Sequence, residues 1–546
     1  TNRLLIYFLI ICPSIGMEFT PRHSFNILKN TTTGTIHATP HITNIVRNGI
    51  DQLSHNEILN LPTINLKLQN RKIISIMPNN LDQFLDTEHF RLHYTLEGTD
   101  AVQNVEYVIS MSQIYEQVYS FFVDTLGFTP PPTIVNNDYD LYDIFIENLP
   151  SYYFGVTYTA NSQADAPNCA SYIRMRNNYS GSQFSEHSEI ENIKVTAVHE
   201  FFHSIQFGYN CYERLWFMEA TAVWSEDQLY NGINDLYRYL PSWFSNPNKA
   251  INDESNHMYG TFIFFQYIDE HFGGPETIRS CWENSNSLAN PLQDISFQAI
   301  DETLLNYNSS FEEAYIRMRI ANRILDSDAG IYSYAEAEGY KSVANPPLGE
   351  NIIFQLGSIE TINNSFVNPY ESTYYTLESM TPVKIELLEN SGDFILSSIV
   401  KHKNIDQWTV RSKNIINIDT ELDIEWISFI VSAINQEEMN WNYTMKLSDG
   451  YSEDFTFYTP YPNPSIGENI SIDIQVIEKQ KIQINVMNIL GETVWSSSHT
   501  YDEPKYTTTT WNGMNQFGKK ISNGMYFIKV KGEKKDTVHK VIFIKK

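Results

Sequence analysis

Apolar residues recur at helical spacing in some stretches of the chain and alternate in others, and the changes between these regimes divide it. Residues 18–88 are rich in Asn, Thr, Ile and Leu without a clear period, so 17–88 reads as a prosegment or N-terminal extension. From His89 the texture changes. Phe90-Arg91-Leu92-His93-Tyr94 alternates like a strand, and residues 105–128 hold a helical spacing that Gly127 and Pro130-Pro131-Pro132 bring to a stop. Residues 141–146 and 171–175 read as strands, and 190–207, 216–230 and 258–272 as helices, the last ending at Gly273-Gly274. Strands followed by a run of helices predict an α+β domain over 89–340. Beyond it, Pro382-Val383-Lys384-Ile385-Glu386-Leu387 and Trp426-Ile427-Ser428-Phe429-Ile430-Val431 are apolar runs set between polar turns, so 345–458 is expected to be an accessory β-sandwich. A Pro-punctuated stretch, Thr459-Pro460-Tyr461-Pro462-Asn463-Pro464, opens a last β module over 461–546.

Charge sharpens that last boundary. The 546 residues carry a net charge of −28, yet residues 461–546 hold 12 Lys+Arg against 8 Asp+Glu. So acidic a chain is repelled by nucleic acid and by anionic membranes, and no nucleic-acid partner is expected. The 42% hydrophobic content excludes wholesale disorder. At the N-terminus, Arg3 precedes an apolar run from Leu4 to Ile11, with Ser14 and Gly16 beyond it, so 1–16 reads as a secretory signal peptide cleaved before Met17. That run is too short to span a bilayer, and no later one reaches 18 uninterrupted apolar residues, so no transmembrane span is expected. Export permits disulfides among Cys169, Cys211 and Cys281. Cys169 and Cys211 flank the motif described next and are the favoured pair, three buried free thiols being the alternative.

Residues 199–203 read His-Glu-Phe-Phe-His. On a helix, positions i and i+4 share a face, so His199 and His203 can direct both imidazoles at one zinc ion, with Glu200 placed as general base for a metal-activated water. Ser188-x-x-Glu191 forms a capping box for that helix, and Ile193, Ala197, Phe201 and Ile205 recur along it. A catalytic zinc needs a third protein ligand. Gln206 and Tyr209 stand where a metzincin would have Gly and His. Glu219, in Trp216-Phe217-Met218-Glu219-Ala220-Thr221-Ala222, sits in the first turn of a helix that folds back, and is the assigned ligand. Glu226, on the same face, either orients a histidine or replaces Glu219 as ligand. For an oxyanion donor the candidates are Tyr259 and His257, with Tyr259 preferred. A substrate peptide is expected to add to a sheet edge, and residues 169–178 are the segment assigned to it.

His199 to His203 together with Glu219 resembles the gluzincin metallopeptidases, in which two histidines and a glutamate from a following helix hold zinc. The pieces Phe90-Arg91-Leu92-His93-Tyr94, the run from His199 to Tyr209, and residues 216–222 are similar to a group of secreted bacterial metalloproteases. That resemblance covers 89–340 and implies a zincin-like α+β fold. The position four residues after the ligand glutamate, Asp in thermolysin, is Val223 here. The last 86 residues resemble the type IX secretion sorting domain: Tyr461-Pro462-Asn463-Pro464, Val486-Met487-Asn488-Ile489-Leu490-Gly491-Glu492, Trp511-Asn512-Gly513 and Ser522-Asn523-Gly524-Met525-Tyr526-Phe527 carry the likeness. It implies export through the outer membrane by the type IX machinery, with release or surface attachment.

The function expected is that of a secreted zinc-dependent endopeptidase acting on protein or peptide substrates, with residues 18–88 masking the cleft until removed. The competing expectation is a surface-displayed glycan- or protein-binding protein on a catalytically inert metallopeptidase scaffold.

Overall fold

Residues 20–75, aperiodic in sequence, fold into α1 (Pro21–Asn30), α2 (Thr39–Gln52), α3 (His55–Leu59) and a hairpin of β1 (Leu66–Gln69) and β2 (Lys72–Ser75). The Thr20 hydroxyl accepts from His23 N at 3.1 Å, and Ser54 with Glu57 forms a capping box at α3. Phe25, Leu28, Ile42, Ile45 and Ile73 are buried in one cluster with Phe145, Tyr153, Val156, Tyr158 and Tyr172 of the following sheet. One face of each of α1 and α2 is spent against the rest of the unit, with Phe25 and Leu28 of the first and Ile42 and Ile45 of the second buried there.

That sheet is built from β3 (Gln83–Asp86), β4 (Phe90–Tyr94), β5 (Tyr142–Glu147), β6 (Gly155–Asn161) and β7 (Ala170–Arg176). Their order is β3-β4-β5-β7-β6, with β4, β5 and β7 parallel and β3 and β6 antiparallel at the two edges. Two expectations change here. The sheet starts at Gln83, inside the segment assigned to the extension, because β3 pairs with β4. Residues 170–176 are not an edge: β7 is paired to β5 on one side and β6 on the other, and the site-side edge is β6. Arg174 is ion-paired with Glu147, and Arg176 donates to the carbonyls of Leu149, Pro150 and Tyr153.

Helix α4 (Val105–Tyr119) runs on as a π-helical turn, Ser120–Thr125. Helix α5 (Glu189–Tyr209) opens on the Ser188–Glu191 capping box and is buried at every position from Thr196 to Tyr209, its polar residues included. Helix α6 (Leu215–Tyr230) returns beside it. The disulfide Cys169–Cys211 ties the start of β7 to the end of α5, while Cys281 is a buried free thiol. The expected helix over 258–272 is two, His257–Gly260 and Phe262–Phe272, parted at Thr261.

The structure is a computed structural model that describes residues 20–545 apart from 32–35, 135–138, 162–166, 290–293, 404–407, 420–423, 436–440, 451–454, 468, 477–478, 504 and 534. The expected signal peptide, 1–16, lies outside the described residues. The elements above belong to the first of two compact units, which extends to Tyr315 and includes Ser342–Asn345. The α+β unit therefore stops short of 340.

The second unit comprises Ile316–Lys341 and the chain from Pro346 onward. Five strands (Glu350–Phe354, Ser372–Ser379, Asp393–His402, Trp408–Ser412, Ile424–Ile434) and four strands (Glu360–Val367, Val383–Ser391, Ile415–Ile418, Trp441–Asp449) form two sheets. Tyr375, Phe394 and Phe429 of one and Ile385, Met445 and Leu447 of the other share a core. Ile320 and Ile324 pack with Tyr374, Ile399 and Ile430, which draws residues 316–341 into this unit. Trp441 is buried, and Lys401 and Arg323 cap the rings of Trp408 and Trp426, 4.1 Å and 3.9 Å from their centroids. The last module adds sheets of three and five strands around Trp511, Ile484, Ile528 and Phe543.

Candidate metal centre

Helix α5 carries His199, Glu200 and His203, and α6 carries Glu219 and Glu226. All five are buried. The back nitrogens of the two imidazoles are engaged first. His199 Nδ1 lies 2.7 Å from Glu226 Oε1, and His203 Nδ1 lies 2.8 Å from Gln206 Oε1. Gln206 has its amide orientation fixed, because its Nε2 donates to Met218 O at 2.8 Å and to Thr221 Oγ1 at 3.0 Å. Both imidazoles are therefore assigned as Nδ1–H tautomers whose lone pairs sit on Nε2.

Those lone pairs converge. His199 Nε2 and His203 Nε2 are 3.1 Å apart, and the Glu219 carboxylate lies 3.4 Å from the first and 3.2 Å from the second. Neither Glu219 oxygen has a hydrogen-bond partner among the described residues, since no N–H is aimed at it despite those short distances. Three such groups facing one point are satisfied by a cation, or by a proton shared between an imidazole and the carboxylate. Four ligands at ~2.0–2.1 Å around zinc stand about 3.3–3.4 Å from one another, so the spacing fits that ion. Burial opposes charge on Glu219, but attraction to His203 and the contacts with His199 hold its carboxyl well below the usual range. Burial pushes Glu226 up to about 7 against the pull of His199. Glu226 thus stands behind His199, in the orienting place, and Glu219 in the ligand place.

Glu200 points to strand β6. Its Oε2 lies 2.6 Å from Thr157 Oγ1 and 2.8 Å from Thr39 Oγ1. The strand comes this close because residue 155 is glycine: a Cβ there would lie 2.7 Å from Thr196 Cγ2 and 3.1 Å from Glu200 Cγ. Tyr259 is nearby, its ring 5.3 Å from that of Tyr239 and 4.8 Å from that of His37, and burial keeps its hydroxyl protonated far above neutral pH. His257 instead stacks on Trp243 at 4.5 Å. A narrow cleft beside these groups is bordered by Phe154, His187, Asp235 and Arg238, with His37, His199 and Glu200 on its wall.

Sequence reasoning reached His199, Glu200, His203, Glu219, Glu226 and Tyr259, and the structure brings them together. It missed Gln206, Thr157 and Tyr239, and above all His37 and Thr39. His37 offers a ligand atom that lies within 4.8 Å of those of His199 and Glu219. Its only sequence signal is a histidine in a segment with no period.

Residues 98–314 match a family of unknown function, DUF6055. Residues 459–545 match a secretion system C-terminal sorting domain. The chain therefore carries a type IX secretion sorting domain, which directs it to the cell surface or the medium. Among the described residues, no helix is long and apolar enough to cross a membrane. No curated protein matches the chain. Among solved structures, dimeric latent PorU from Porphyromonas gingivalis is 13% identical with a TM-score of 0.17, over 34% of this chain and 20% of that one. PorZ from the same organism is 12% identical with a TM-score of 0.14, over 39% and 27% of the two chains. A Parabacteroides merdae β-glucuronidase is 9% identical with a TM-score of 0.16, over 32% and 27%. The chain spans 20–27% of the length of these proteins, and likenesses this weak carry no statement about fold or activity.

Proposed function

We propose that the protein is a secreted zinc-dependent endopeptidase of gluzincin type, with His199, His203 and Glu219 holding the ion. The observation that carries this reading is the convergence of three buried, donorless lone-pair groups at 3.1–3.4 Å with a glutamate next to the first histidine. A zinc ion bound there supplies Lewis-acid polarisation of a scissile carbonyl and a more acidic water. Glu200 is the group that would take a proton from the attacking water and pass it to the leaving amine. Tyr259, held as a neutral phenol, donates to the developing oxyanion. Glu226 and Gln206 hold the two imidazoles in the tautomer and orientation the ion requires. The outer edge of β6, covered in the folded chain by residues 36–39 and Ser75, is the edge that would receive an extended peptide by strand addition once uncovered.

The test is metal content and peptide cleavage on the same preparation. One zinc per chain is expected in the wild type, together with casein or mixed-peptide cleavage by the intact chain or after limited proteolysis of residues 20–82. Glu200→Gln is expected to keep the zinc and lose the cleavage. Zinc without cleavage in any form favours the second reading, a surface-displayed glycan- or protein-binding protein on an inert scaffold. One observation speaks for that reading: the Glu200 carboxylate is already occupied by two threonine hydroxyls. The sorting claim has its own test, since a chain lacking 461–546 is expected to accumulate in the periplasm.

A further inference from the structure

Residues 36–39 lie where a substrate and a fourth ligand would go. Ile36 is paired in parallel with Tyr153, just ahead of β6, and Ile36 N donates to Tyr152 O at 2.8 Å. Three residues on, Thr157 N of β6 donates to Thr39 Oγ1 at 2.9 Å, and that hydroxyl donates to Glu200 Oε2. Between these anchors, the His37 ring lies 4.6 Å from that of His199. His37 Nε2 is 2.8 Å from the Tyr239 hydroxyl, and the tautomer in which Nε2–H donates to that oxygen leaves a lone pair on Nδ1 for an ion.

The strap is also well fastened. Arg47 of α2 donates to Glu213 O at 2.7 Å, at the entrance to α6. Tyr152 OH donates to Leu28 O at 2.8 Å, and Ser75 Oγ donates to Thr159 O of β6 at 2.9 Å. The apolar cluster shared with the sheet secures the rest. One segment thus covers the β6 edge, sits on the general base and offers an imidazole to the metal. From residue 76 the chain crosses to β3 through a stretch without regular structure, in which Met77 and Asn79 are exposed. That is a place where a protease could separate strap from sheet.

Resting on the zinc reading above, we infer that residues 20–76 are a latency segment: His37 fills the ion's fourth position and Thr39 occupies Glu200, so the folded chain is closed until the segment leaves. In the closed state His37 would join His199, His203 and Glu219 around an ion held there, leaving an exogenous ligand no place to bind.

The experiment uses the full chain loaded with cobalt(II) and acetohydroxamate as probe, read from the visible ligand-field spectrum rather than from activity. Wild type is expected to bind one cobalt and to show no spectral change with millimolar hydroxamate. His37→Ala and His37→Gln are expected to bind cobalt roughly 10–100-fold more weakly and to change spectrum on hydroxamate addition. His37→Gln guards against a folding artefact, and metal-free unfolding midpoints of both variants show whether the fold persists. A wild-type spectrum that responds to hydroxamate as the variants do overturns the inference, as does unchanged cobalt affinity in folded variants. Absence of cobalt from every form, wild type included, instead removes the metal reading on which it rests. Casein cleavage appearing in His37→Ala but not in wild type would support latency directly.

Discussion

Helix α5 and the strap of residues 36–39 bring groups to the same few ångströms of space by opposite means. On α5, His199 and His203 are four residues apart on one helical face, so their convergence follows from local geometry. On the strap, Thr39 stands 161 positions before the Glu200 it touches, and it and His37 arrive only because the extension docks on β6. The first kind of placement builds a centre that persists as long as the helix does. The second is held by docking contacts, and undoing it exposes the apolar cluster that the extension shares with the sheet. Regulation is most readily built from placements of the second kind.

Breaking the helix side should have the largest consequence. His203→Ala or Glu219→Ala removes a ligand from the converging set, and stoichiometric zinc should be lost in a metal analysis of the purified protein. Unchanged occupancy in Glu219→Ala would move the ligand role to Glu226. Tyr259→Phe should lower turnover by roughly 10²–10³-fold while leaving zinc content alone, measured on whichever form of the protein is active. Glu226→Gln keeps the shape of the side chain but weakens its hold on His199 Nδ1. It should reduce zinc affinity by roughly 10–100-fold in a chelator competition.

Breaking the strap side should be milder. Thr39→Val removes the hydrogen bond to Glu200 and leaves Thr157 N without its acceptor, which should lower the stability of the intact chain by about 1–3 kcal/mol in denaturant unfolding. Zinc affinity should be unchanged, because Thr39 touches the base and not the ion. A Thr39→Val chain that lost its zinc would show that strap and helix are one cooperative unit, and the distinction between them would fall.

The same contrast explains what could be read from the sequence. His199, Glu200 and His203 were legible because their spacing has one meaning on a helix, and the capping box at Ser188 with the recurring Ile193, Ala197, Phe201 and Ile205 argued for that helix independently. Glu219 and Glu226 needed only the assumption that the next helix folds back. Gln206 was noticed for what it excluded and not for its hold on His203, which depends on Met218 and Thr221 turning its amide. Strand β6 escaped notice: Gly155-Val156-Thr157-Tyr158-Thr159 has the β-branched residues and alternation of a strand but no apolar run, and without it β7 was taken for an edge. His37 and Thr39 had no local signal at all. The sorting module was legible through several ordered motifs along its length, whereas the coarse α+β and all-β division came from the change in apolar period alone.

The central claim, that residues 199–219 form a metal centre, is most directly tested by titrating zinc into the metal-free full chain by calorimetry, wild type beside His203→Ala. One tightly bound ion per wild-type chain, absent from the folded variant, is the expected result. A wild-type chain that takes up no zinc, or a variant that takes it up equally, would contradict the claim.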